Sequence, residues 1–126
     1  MDQNGSVGGA AVNLFAYGTL MDRRIMFKVI GRTLPTAVPA TLHGFRKYET
    51  TLGYPVILPE AGATTSGLVF FSLTTADWKR LDDYEGVYGS PPAYFRRLMT
   101  VQGAHGSISC NVYVGNLNHF RTRLKL

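Results

Sequence analysis

Cysteine is nearly absent. Cys110 is the one cysteine among 126 residues, which excludes an intramolecular disulfide and suits a reducing compartment. Long apolar runs are missing too. The densest, Leu68-Val69-Phe70-Phe71, falls far short of the roughly 20 residues a membrane-spanning helix needs. Residues 1–11 carry Asp2 but no Lys or Arg, together with Gly5, Gly8 and Gly9. They lack the charged start of a signal peptide and read as a flexible N-terminal arm. Cytoplasmic residence and no membrane partner are the resulting expectations. Repeats and low-complexity segments are also lacking, and the 14 glycines have no fixed period, which excludes a collagen-like chain. With 45% hydrophobic residues, disorder is excluded as well. What remains is one domain over residues 12–126, long enough to bury a core without staples.

Charge is ordinary in amount and basic in sign, with 13 Lys plus Arg against 8 Asp plus Glu. The basic residues fall in scattered pairs such as Arg23-Arg24 and Lys79-Arg80, and only Arg121, Arg123 and Lys125 form a denser group. A nucleic-acid binder usually shows a stripe or a known module. Neither is present, so nucleic acid is not the expected partner.

The order of elements follows from periodicity and turn residues. Val12–Tyr17 is a short apolar run ended by Gly18, as in a buried strand. Thr19-Leu20-Met21-Asp22 has capping-box spacing and would open a helix that stops at Gly31. Thr36–Tyr48 alternates weakly around Pro39 and reads as an edge or irregular strand. Tyr54–Leu58 is a short extended segment, and Gly67–Leu73 a stronger strand. Thr74-Thr75-Ala76-Asp77 starts a second helix running to about Glu85, with Gly86 as its stop. Ala93–Gln102 and Ser107–Val114 form a hairpin through Gly103-Ala104-His105-Gly106. The pattern is α+β: a mixed, mostly antiparallel sheet, curled like a barrel, with two main helices.

Two places carry the elements of chemistry. At Tyr17-Gly18-Thr19-Leu20 a tight turn meets a helix start, where free amides can bind a carboxylate or an oxyanion. The same residues also suit a plain helix cap. On the second helix, Glu85 lies about 20° from Trp78 and about 40° from Leu81 on the helix wheel. A carboxyl on that apolar stripe has its pKa raised toward neutrality, as suits a group that both takes and gives a proton. At a helix end, Glu85 fits equally a side chain turned to solvent or paired with Arg96 or Arg97. His43, His105, His119 and Cys110 lack metal-ligand spacing. Cys110 alternates with Ile108, Val112 and Val114 and reads as core. Tyr113 lies on the opposite strand face, where its hydroxyl fits a pocket wall or a half-exposed surface.

With those residues in view, the sequence resembles the gamma-glutamylcyclotransferase-like family, which includes plant avirulence-induced proteins and a butirosin-pathway enzyme. The matching pieces are Leu14-Phe15-Ala16-Tyr17-Gly18-Thr19-Leu20, Thr41-Leu42-His43-Gly44-Phe45, Tyr54-Pro55 and Gly67-Leu68-Val69. They continue with Leu81-Asp82-Asp83-Tyr84-Glu85-Gly86, Tyr94-Phe95-Arg96 and Val112-Tyr113-Val114, in the family's order. The resemblance implies an enzyme in which the α-amine of a γ-glutamyl compound attacks its own γ-amide, releasing 5-oxoproline and an amine. It implies Glu85 as catalytic residue, with substrate held by Tyr17, Gly18, Thr19, Leu20, Tyr54, Tyr94, Arg96 and Tyr113. No metal or cofactor is implied. Gly18-Thr19-Leu20, Leu81–Glu85 and Tyr94-Phe95-Arg96 resemble the branch acting on γ-glutamylamines, with a small-molecule substrate and a monomer or homodimer. Two other readings stand beside it: a non-catalytic module that binds a small carboxylate on the same fold, and a basic domain contacting nucleic acid through Arg121, Arg123 and Lys125.

Overall fold

Strand β1 (Leu14–Ala16) is buried on both faces, which explains why its sequence is continuously apolar rather than alternating. It belongs to a computed structural model that describes residues 13–125; the expected N-terminal arm lies outside the described residues. Five strands, β1 with β2 (Val38–Tyr48), β3 (Val56–Phe70), β4 (Tyr94–Gly103) and β5 (Gly106–Gly115), close into a barrel in the order β1-β3-β2-β4-β5. Neighbours pair antiparallel except at the seam, where β5 (Gly106–Gly115) runs parallel to β1 through Leu14 and Asn111. The expected α+β barrel-like sheet is therefore the fold. Among the described residues no helix is long and apolar enough to cross a membrane.

The first helix starts later than its spacing predicts. Thr19–Met21 forms a single 3-10 turn, and helix α1 (Arg23–Ile30) is capped by Asp22, whose carboxylate accepts the Arg24 amide at 2.8 Å. Asp22 is extended, with ψ at 118°, so the turn and the helix cannot merge. Thr19 caps nothing. Gly31 ends α1 in the left-handed conformation at φ +79°, as expected.

Strands β2 (Val38–Tyr48) and β3 (Val56–Phe70) differ from their sequence expectation as well. β2 is internal, between β3 and β4 (Tyr94–Gly103). Pro39 is tolerated because it sits one residue from the strand's start, before pairing with β4 begins at Ala40. The two extended pieces expected on either side of the polar stretch 60–66 are one strand. Residues 64–66 pair with Thr41, Leu42 and His43 of β2, a register shift between His43 and Phe45 takes up residues 60–63, and Thr65 is buried with its hydroxyl donating to the Phe45 carbonyl at 3.0 Å. β3 stops at Phe70 rather than Leu73, since Ser72 adopts φ +67°.

Helix α2 (Thr75–Tyr84) has the expected capping box between Thr74 and Asp77. The β4–β5 hairpin turns through Ala104 and His105, and a short helix α3 (Leu117–Phe120) follows. Phe15, Leu42, Ile57, Val69, Val101, Cys110 and Val112 pack together as the barrel interior. Cys110 is fully buried there, and burial pushes its thiol up to about 11. A second layer joins helices to sheet through Met26, Ile30, Phe70, Trp78, Leu81 and Tyr113.

Arg32 ties α1 to α2. Its guanidinium donates to both oxygens of Asp77 and to the Ser72 carbonyl. Burial opposes charge on Asp77, but Arg32 and the Thr74 amide outweigh it and hold the carboxyl below its usual range. Asp77 is 2% exposed and Arg32 40%. Arg32→Ala therefore leaves a buried anion uncompensated, at a cost of about 2 kcal/mol after discounting for the half-exposed partner. Because the folded-state pKa is depressed, this contribution is present at neutral pH and is lost as pH falls through that value. Urea unfolding of both proteins at pH 7 and pH 3 checks it: the gap narrows in acid.

Candidate active site

Where β1 runs out, Tyr17 turns its phenol inward, and the hydroxyl donates to the Tyr113 carbonyl of β5. From the outside Lys47 Nζ donates to the Tyr17 carbonyl at 3.2 Å. The chain leaving Tyr17 is thus pinned from two sides. Gly18 then passes so close to Pro55 that a Cβ on it would stand 3.0 Å from Pro55 Cγ. In the following 3-10 turn the Met21 and Asp22 amides bond back to Gly18 and Thr19. The Thr19 and Leu20 amides come first in that turn, so they have no acceptor within it.

This loop forms one wall of a cavity of about 310 Å³, at the small end of the range for ligand pockets. The opposite wall is the end of α2. Glu85 follows its last helical residue, with its amide still bonded to the Leu81 carbonyl at 2.9 Å, and Gly86 leaves in the left-handed conformation at φ +75°. Trp78 and Leu81 on the same stripe are buried, whereas Lys79, Arg80 and Asp83 face solvent. Glu85 is half-buried, lines the cavity and is, among the described residues, the only charged side chain that does so. Among the described residues nothing donates a hydrogen bond to its carboxylate. Burial, then the nearby Asp82 carboxylate, push Glu85 up to about 7. It neither turns out to solvent nor pairs with Arg96 or Arg97.

Tyrosines make up much of the rest. Tyr54, Tyr84, Tyr94 and Tyr113 all line the cavity with Tyr17, Gly18, Thr19 and Leu20. Their hydroxyls are partly committed. Tyr94 donates to the Pro55 carbonyl at 3.0 Å, Tyr113 to Asp82 at 2.7 Å, and Thr19 and Tyr84 share a bond of 3.2 Å. Burial raises Tyr17, Tyr94 and Tyr113 above their ordinary values, so these phenols remain neutral.

Of the residues the resemblance implicates, the structure brings all but Arg96 to this cavity. Arg96 lies outside the lining, its Nε 3.1 Å from Asp82 and its guanidinium stacked 4.6 Å over the Trp78 ring. Sequence reasoning passed over Asp82, which is 5% exposed. The signal was available: Asp82 follows Trp78 by four residues and precedes Glu85 by three, so all three share one helix face. No group of three His, Cys, Asp or Glu that could hold a metal ion occurs among the described residues.

The profile of the gamma-glutamyl cyclotransferase, AIG2-like family matches residues 14–125. AIG2-like protein C of Arabidopsis thaliana is 35% identical over 81 residues, 64% of this chain and 46% of that protein. Protein AIG2 C of the same plant is 32% identical over 75 residues, 59% of this chain and 45% of that protein. The chain thus spans about half the length of the curated relatives it matches. An Arabidopsis thaliana protein solved in solution superposes with a TM-score of 0.72 at 26% identity, over 86% of this chain and 63% of that one. A solved gamma-glutamyl cyclotransferase gives 0.68 at 20% identity, over 83% and 66%, a likeness of fold.

Proposed function

The chain belongs to the gamma-glutamyl cyclotransferase, AIG2-like family, and from that premise we propose that it is a γ-glutamylamine cyclotransferase with Glu85 as general acid and base. The observation that carries this reading is the half-buried Glu85 carboxyl, pushed up to about 7 in a cavity it shares with the Gly18–Leu20 loop. The substrate's α-amine is tethered to the carbonyl it attacks, so ring closure needs little help with proximity. Glu85 takes the proton from the α-ammonium. The freed nitrogen bonds to the γ-carbon, and the negative charge on the carbonyl oxygen is met by the Thr19 and Leu20 amides. Glu85 returns that proton to the departing nitrogen as its bond to the γ-carbon breaks, then takes the second proton from the ring nitrogen and passes it to the released amine, so the products are 5-oxoproline and an ammonium and Glu85 ends as the carboxylate. The cycle closes on protein groups alone.

The lining supports an amine as leaving group. Among the described residues it contains no Lys or Arg, so a carboxylate beside the scissile amide, as in a γ-glutamyl dipeptide or glutathione, meets no cation there. In ε-(γ-glutamyl)-lysine the carboxylate lies at the far end of a four-carbon chain. Mass-spectrometric detection of 5-oxoproline from these compounds tests the reading, with at least about a tenfold preference expected in kcat/KM for the amine. Equal rates would remove the leaving-group assignment. No product from any of them, with ligand still raising Tm, would favour a binding module instead.

A further inference from the structure

Asp82 sits in the last turn of α2, nearly inaccessible at 5% exposure, and three segments converge on it. Tyr113 of β5 donates to Oδ1 at 2.7 Å, Arg96 of β4 places Nε 3.1 Å from the same oxygen, and the Tyr88 hydroxyl lies 3.4 Å from Oδ2. The Arg96 guanidinium itself lies over the Trp78 ring. The Asp82 backbone is committed as well, since its carbonyl accepts the Val87 amide at 3.0 Å and so closes the turn that presents Glu85. A guanidinium and two phenol donors around one buried carboxylate suit a fixed charge. Asp82 and Arg96 do not reach the cavity, whereas their partner Tyr113 forms part of its wall.

The groups facing Glu85 from other elements are Tyr17 after β1, Tyr94 on β4 and Tyr113 on β5. All three stay neutral, which leaves Asp82 as the charge that acts on Glu85. We propose that Asp82, clamped by Arg96 and Tyr113, is a positioning residue that holds a fixed charge behind Glu85 and steadies the turn presenting it. This rests on the reading of Glu85 as the acid and base, and it moves Arg96 from substrate contact to a role behind the site.

The test is a 13C-carboxyl NMR titration of Glu85 in the full chain, assigned with Glu85→Gln. Wild type is expected to titrate near 7. In Asp82→Asn the midpoint drops by about one unit, because the like charge is gone. In Arg96→Gln it rises, because Asp82 loses its counter-charge. The acid limb of kcat/KM moves with each midpoint. Opposite shifts sustain the inference, and sustain it even if no γ-glutamyl amide is turned over, an outcome that would strike the proposed activity instead. Midpoints unmoved in folded variants overturn it, whatever the turnover. Should Asp82→Asn fail to fold, the Arg96→Gln midpoint alone decides.

Discussion

Glu85→Gln reduces 5-oxoproline formation by about 10²–10⁴-fold while KM changes little, because the amide keeps the shape of the carboxyl and loses only its proton traffic. The residual rate comes from the tethered nucleophile and the loop amides, which the substitution leaves in place. In wild type, kcat/KM rises with pH through about 7, where Glu85 becomes able to accept a proton. A profile flat from pH 5 to 8 would assign the proton to another group. Stability moves the other way. A carboxyl whose folded-state pKa is raised stabilises the fold only while protonated, and that contribution fades as pH climbs through about 7. Gln has no such dependence. The variant should therefore match wild type in Tm at pH 5 and exceed it at pH 8, so that an inactive protein is the more stable one. A variant less stable at both pH values would mean that Glu85 is needed to hold the turn.

Gly67→Ala acts on the scaffold, where the added methyl meets β1 itself. A Cβ at residue 67 would overlap the Ala16 carbonyl oxygen and stand 2.7 Å from Cζ and 2.9 Å from Cε1 of Phe15. The Phe15 ring is packed in the barrel interior, and the carbonyl belongs to β1, which pairs there with β3. Neither can yield unless the strands part, at about 3 kcal/mol or more. The parting would also move residues 17–20, so activity falls with stability. Gly62→Ala in the same strand is the control. Its φ of +83° strains an alanine, but nothing lies within 4 Å of the new methyl, so the cost is about 1 kcal/mol. Urea midpoints for the two variants test the contrast. If they coincide, the close passage of β3 over β1 is not what makes Gly67 necessary.

What was legible in the sequence was local. Thr74 and Asp77 lie three residues apart and need no distant partner to cap α2, and Gly86 ends the same helix by its own backbone freedom. Glu85 was legible for the same reason, since one helix turn relates it to Trp78 and Leu81. The β2–β3 pair was not. The polar stretch 60–66 shows no strand pattern until Thr64, Thr65 and Ser66 meet His43, Leu42 and Thr41 of β2 and the register shift between His43 and Phe45 absorbs residues 60–63, and Pro39 looks like an edge until the point where β4 joins is known. The box expected from Thr19 to Asp22 does not form, because Asp22, read there as the closing carboxylate, has an extended backbone and caps α1 itself. Asp82 escaped notice because an acid beside another acid reads as a solvated surface. Only the arrival of Arg96 and Tyr113 from the hairpin makes it an interior group.

The bond from the Tyr17 hydroxyl to the Tyr113 carbonyl joins residues 96 positions apart. It fixes when, as well as where, the pocket can exist. A chain emerging from the ribosome presents β1, the amide loop and the Glu85 helix well before β5 has been made. Until then the loop lacks its inner anchor, Asp82 lacks the Tyr113 hydroxyl, and the barrel has no seam. Such long-range closure comes late in folding. A nascent or truncated chain would thus carry Glu85 but no catalytic site, and turnover would report that synthesis had passed β5.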